Sequence, residues 1–132
     1  MRTLQPAGWR RPKGYANGIE ATGRQVFVAG LIGWNAEERF EANDLPGQFE
    51  QILKNLVAIL AEAGARPEHV VRMTWYITDK QAYLSEAKRI GEIYRAVMGR
   101  VFPVMAVVQV VALMEDAALI EIETTAVIPD EG

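Results

Sequence analysis

Residues 105–113, MAVVQVVAL, are apolar at every position except Gln109. A β-strand turns successive side chains to opposite faces, so a strand of this kind belongs where both faces of its sheet are covered. The chain has 132 residues, room for one domain with few elements in each layer. Its other elements must therefore hide both faces of this strand, or leave one face for something else to cover.

Three further segments read as strands. QVFVAGLI at 25–32 and VVRMTWYIT at 70–78 are rich in β-branched and aromatic residues, and ALIEIETTAV at 118–127 includes a run alternating apolar and acidic side chains. Residues 15–21 read as a shorter strand, and the turn pair Thr22-Gly23 favours an antiparallel hairpin with 25–32. Two segments have helical spacing. In 48–63, Phe49, Ile52, Leu53, Leu56, Ile59, Leu60 and Ala63 share one face, with Pro46-Gly47 opening the helix and Gly64 placed to cap it. In 80–98 the stripe includes Tyr83, Leu84, Ala87, Ile90, Tyr94, Val97 and Met98, between an N-cap at Asp79 and Gly99. Residues 1–14, with Pro6, Gly8, Pro12 and Gly14, read as an irregular arm.

The order β-β-α-β-α-β-β predicts an α+β fold: a single sheet with two helices on one face, all within one domain over 1–132. Nothing remains to cover the second face of 105–113. Self-association in a closed symmetric oligomer is the expected answer.

Charge and residue types narrow the function. The net charge is −3, and the 14 basic residues are spread along the chain apart from Arg10, Arg11 and Lys13, which argues against nucleic acid as the main partner. With no cysteine and one histidine, disulfides, thiolate chemistry and multi-histidine metal sites are excluded. No metal or cofactor is expected. No apolar run approaches the ~20 residues of a membrane span, and no signal-peptide pattern follows Met1, so the expected location is the cytoplasm.

Several residues could carry chemistry. Gly30 and Gly33 interrupt a strand and its exit, as a ligand's close approach would need, or a bulge, or tight helix–sheet packing. Glu121 and Glu123 share one strand face, where they are either solvated side chains or, in an oligomer, carboxylates able to orient a water. Trp34 and Asn35 lie just past a strand end, where loops often bind ligands, although Trp34 could equally close the core. Gln109, alone among apolar neighbours, is a candidate interface or ligand contact. Tyr15 is either a pocket wall or core, Trp75 reads as core, and His69 reads as a surface turn residue.

The segments VFVAGLIG (26–33), QFEQILKNLVAILAEAGA (48–65), HVVRMTWYITD (69–79) and ALIEIETTAV (118–127) together resemble the RidA/YjgF/YER057c/UK114 family. The likeness covers roughly residues 15–128. It implies a chorismate-mutase-like fold, a homotrimer and a small-molecule ligand in the cleft between subunits. It also implies hydrolysis of enamines or imines, such as 2-aminoacrylate, to a carbonyl compound and ammonia without a cofactor. By the same resemblance Tyr15 contacts substrate, Gly30 is the strand glycine and Glu121 holds the attacking water. The family's carboxylate-binding arginine falls two residues after Pro103, where this chain has Met105. The sequence thus resembles the branches that lack this arginine, and Met105 with Trp34 and Asn35 points to a larger or more apolar ligand, an aminomuconate-type compound among them. Two rival readings accompany the enzyme. One is a non-enzymatic ligand-binding or regulatory trimer. The other is the ribonuclease or translation-inhibitor activity attached to some relatives, which the acidic balance disfavours.

Overall fold

A computed structural model describes residues 1–130. The elements are β1 (Arg2–Leu4), β2 (Gly18–Glu20), β3 (Arg24–Ile32), α1 (Leu45–Glu62), a 3-10 turn (Pro67–His69), β4 (Val70–Ile77), α2 (Lys80–Ser85), α3 (Ala87–Met98), β5 (Val104–Gln109) and β6 (Ile120–Ile128). The main sheet has the order β3-β6-β4-β5, antiparallel except for the β4–β5 pair. Parallel β4 and β5 need a crossover, and α2 with α3 provides it.

The expected α+β class holds, with two changes in the sheet. Residues 18–20 do not form a hairpin with β3; they pair with β1, so part of the arm expected to be irregular is a strand and the described residues form two sheets. The cause lies just upstream. The Ala16 N–H donates to the Pro103 carbonyl at 3.0 Å, and Ala16 bridges to Val104. That fixes residues 15–17 against β5, at the opposite edge of the sheet from β3. The second change is β5 itself. It is an edge strand that ends at Gln109 rather than Leu113, and Ala106 and Val108 on its open face are exposed. Burial on both of its faces is not achieved within one chain.

α1 supplies the core. Phe49, Ile52, Leu53, Leu56 and Leu60 are fully buried against Met73, Ile120 and Ile122. Each such side chain contributes roughly 1.5–3 kcal/mol through its burial. The helix starts at Leu45, earlier than the spacing alone implies, because Asp44 caps it by accepting the Gly47 N–H at 3.0 Å and Pro46 is tolerated in a first turn. Ile59 falls outside the buried stripe and is exposed. Gly64 takes φ +76°, the left-handed conformation that its place after the helix calls for. Asp79 caps α2 through the Gln81 and Ala82 N–H groups. The expected single helix over 80–98 breaks at Glu86, where the Ser85 hydroxyl bonds the Ala82 carbonyl. His69 stays in the 3-10 turn, its Nδ1 accepting the Arg66 N–H.

Gln48 joins the layers. It is 1% exposed; its Nε2 donates to the Ala117 carbonyl at 2.9 Å and its Oε1 accepts the Leu119 N–H at 2.8 Å. These bonds fix where β6 begins, and so the height of every side chain along it.

Candidate functional site

The two faces of the sheet differ in chemistry. On β6 the even-numbered residues Ile120, Ile122 and Thr124 are buried beneath the helices, which leaves Glu121, Glu123 and Thr125 on the other face. On β4, Met73, Trp75 and Ile77 face the helices, while Arg72, Thr74 and Tyr76 lie on the open side. Tyr76 stands opposite Glu121 and Thr74 opposite Glu123 in the β4–β6 register.

Glu121 has a prepared position on that open face. In the β3–β6 pairing the register shifts between Val28 and Leu31, so Ala29 and Gly30 form a bulge on β3. A Cβ on Gly30 would run into the Glu121 carboxylate. Gly30 thus has one of the roles expected of it, the bulge, and the group that closely approaches it here is this chain's own glutamate rather than a ligand. Gly33 serves packing instead, since a Cβ there would meet Gln48. Beside Glu121, the Tyr76 hydroxyl donates to Glu123 at 2.7 Å. That bond, some desolvation and the charges of Glu123 and Glu121 raise the phenol's pKa.

The helix side holds a cavity of about 620 Å³ between β5, α3 and residues 13–15. Met105 and Val107 of β5 face it beside Trp75, while Ala87 and Gly91 on α3 offer little bulk. The Trp75 ring stacks at 4.9 Å from Phe49, 6.1 Å from Tyr94 and 6.4 Å from Tyr83. Tyr94 donates to the Val101 carbonyl at 2.7 Å, and burial pushes its pKa and that of Tyr83 up. Tyr15 and Met105 both line this cavity.

The candidate residues thus fall into separate groups. Tyr15 and Met105 meet at the β5 edge, where they line both the helix-side cavity and a smaller pocket with Arg72, Thr74 and Ala106 of the open face. Gly30 and Glu121 meet on the open face, across the sheet. Trp34 and Asn35 hold the loop after β3: Trp34 packs against Phe40 at 5.8 Å and its carbonyl accepts from Asn55, while the Asn35 side chain accepts the Glu37 and Arg39 N–H groups. Gln109 is exposed, and its Oε1 accepts the Lys80 N–H at 2.6 Å, tying the end of β5 to the start of α2. Sequence reasoning missed Tyr76, whose place in the β4 alternation does put it opposite Glu121. It also missed Gly91 and Arg95 on the cavity wall. A glycine inside a helical pattern was the available signal there.

The fold and this division of residues define an α+β protein with a carboxylate over a strand bulge on one side of its sheet and an aromatic cavity on the other. The chain belongs to the family described as Endoribonuclease L-PSP, whose model matches residues 10–128, and to which the RutC and Rid proteins are related. It is 34% identical over 113 residues to a RutC family protein of Pyrococcus abyssi, covering 85% of this chain and 84% of that one. It is also 34% identical over 113 residues to the chloroplastic Reactive Intermediate Deaminase A of Arabidopsis thaliana, covering 85% of this chain and 57% of that relative. The solved structure of YyfB, a Rid family protein of unknown function from Yersinia pestis, superposes with a TM-score of 0.84 at 32% identity, covering 96% of this chain and 98% of that one.

Proposed function

We propose that this chain is an enamine/imine hydrolase acting as a cytoplasmic homotrimer, with a small-molecule ligand held in a cleft between subunits. The observation that carries this reading is the Glu121 carboxylate lying over the Gly30 bulge on a face that one chain leaves open. Phe27 on the same face is 73% exposed. A neighbouring copy set against this face covers it and brings its own Tyr15 and Met105 edge toward Glu121. Protonation of an enamine on carbon by solvent gives an iminium ion; water adds to its C=N carbon while Glu121 takes a proton from that water. Glu121 returns the proton to nitrogen, ammonia leaves, and the hydroxyl proton goes to solvent as the carbonyl forms.

Met105 sets the substrate class. A thioether does not pair with a carboxylate, and loss of a desolvated bidentate pair costs about 2–5 kcal/mol, or ~30- to several-thousand-fold. Little acceleration of pyruvate release from 2-aminoacrylate over the uncatalysed reaction is expected, alongside clear hydrolysis of conjugated or cyclic imines. Strong acceleration with 2-aminoacrylate would show that the apolar residue at 105 does not set the preference. Failure with every imine and enamine, while a small molecule still raises the melting temperature, would select the binding or regulatory trimer.

The assembly has its own test. Light scattering at micromolar concentration should give three times the 14.7 kDa subunit mass. A monomer would leave Phe27, Ala106 and Val108 of the open face in water and remove the shared cleft.

A further inference from the structure

We propose that the helix-side cavity binds planar, conjugated carboxylates, with Arg95 of α3 as their anion anchor. This rests on the reading above that Tyr15 and Met105 border the ligand site, and adds which ligand class the cavity takes and which residue holds it.

Gly91 and Arg95 sit one turn apart on α3, and both line the cavity. A glycine inside a helix costs about 0.8–1 kcal/mol relative to alanine. Here it leaves bare backbone beside the arginine: a Cβ on Gly91 would lie 3.5 Å from Arg95 Nη1, so one guanidinium nitrogen lies back over Gly91 at the cavity rim while the side chain stays exposed. Lys13 and Arg100 also line the cavity, and among the described residues no Asp or Glu does. Among the described residues Arg95 and Arg100 form no ion pair. A guanidinium held at a cavity wall with free donors matches a carboxylate in geometry and charge.

The body of the ligand is read from the other walls. Trp75, Tyr83 and Tyr94 present aromatic rings, and Met105 and Val107 are apolar. Trp75 is 4% exposed, and its Nε1 is buried without a hydrogen-bond partner. That donor has no surface open to the cavity, so Trp75 contributes apolar ring surface to the wall and no hydrogen bond. A flat conjugated skeleton suits such walls, because aromatic faces favour offset or edge contacts with other π systems. The positive group that position 105 lacks is thus supplied from the helix opposite, farther from β5, which suits a longer acid than 2-aminoacrylate.

The test compares trans-cinnamate with its neutral amide, cinnamamide, by calorimetry and thermal shift on the intact protein. Cinnamate should bind at least tenfold more tightly than cinnamamide. Arg95→Met should cut cinnamate affinity at least tenfold and leave cinnamamide unchanged, with an unaltered melting temperature because Arg95 is exposed. Arg95→Lys should recover part of the loss. Equal affinity for acid and amide, no effect of Arg95→Met, or no cinnamate binding at millimolar concentration would each overturn the proposal. The hydrolase reading fails separately. If cinnamate binds through Arg95 but no imine is hydrolysed, the anchor stands and the reaction falls. If imines are hydrolysed with no dependence on Arg95 or on a carboxylate, the reaction stands and the anchor falls.

Discussion

Glu121→Gln should lower the hydrolysis of a conjugated imine by at least about tenfold, within the roughly 10²–10⁴-fold typical of a positioned general base. The amide keeps the shape and one acceptor oxygen, and the Gly30 bulge still has room for it. It loses the negative charge that draws a proton from water. The oligomeric state and the melting temperature should barely change, because Glu121 carries no part of the helix-side core. Glu123→Gln is the comparison. Its carboxylate accepts the Tyr76 hydroxyl at 2.7 Å, and a glutamine carbonyl can do the same, so activity should hold. Equal rates for wild type and both variants, on an imine that the wild type hydrolyses, would take Glu121 out of the mechanism. The Tyr76 bond also has a pH sign. Because folding raises the phenol's pKa, its contribution is fully present below the unfolded tyrosine value near ~10 and is lost as the pH rises through the folded value.

Phe49→Ala should have the largest effect on stability, about 3–5 kcal/mol, the range for removing a buried aromatic ring. Phe49 is fully buried and stacks on Trp75, where α1 meets β4. At roughly 3–5 °C per kcal/mol for a chain of this size, the melting temperature should fall by about 10–25 °C. Trp75 also walls the cavity, so ligand affinity should fall at temperatures where the variant is still folded. Ile59→Ala removes an apolar group from the same helix but at an exposed position, and should cost no more than about 0.5 kcal/mol. A loss below about 1 kcal/mol at Phe49 would mean that the interface collapses freely around the missing ring.

The parts legible in the sequence were those governed by local periodicity or local caps. Phe49, Ile52, Leu53, Leu56 and Leu60 declare the buried face of α1 by spacing, and Asp79 and Gly64 declare helix ends through their own backbone chemistry. Glu121 and Glu123 share a face because the strand period requires it. Long-range anchoring was not legible. A tie between Ala16 and Pro103, far apart in the chain, decides which strand Gly18–Glu20 joins, and nothing near residue 18 reveals it. The bonds from Gln48 to Ala117 and Leu119 look from sequence like an ordinary helix glutamine. For the site, Gly30 and Glu121 could each be picked out, but their meeting depends on a bulge that hydrophobic pattern does not encode. Trp34 and Asn35 drew notice as residues just past a strand end and Gln109 as the polar residue within an apolar run, and in the chain they secure a loop and a helix start.

The sheet order bears on how the molecule assembles itself. β6 comes last among the strands along the chain, yet it lies between β3 and β4 and bonds to both. Until it arrives, β3 has no partner in the main sheet and β4 has only β5. Pairings between residues so distant in sequence are slow to form, since the entropy of closing the intervening loop is lost before the contact rewards it. During synthesis the helices and the β4–β5 pair can gather early, but they would hold an apolar slot open until residues 120–128 insert. The nascent chain is therefore exposed to misassembly over nearly its whole length, and a chain truncated before Ile120 would lack the strand that joins the two halves of its sheet.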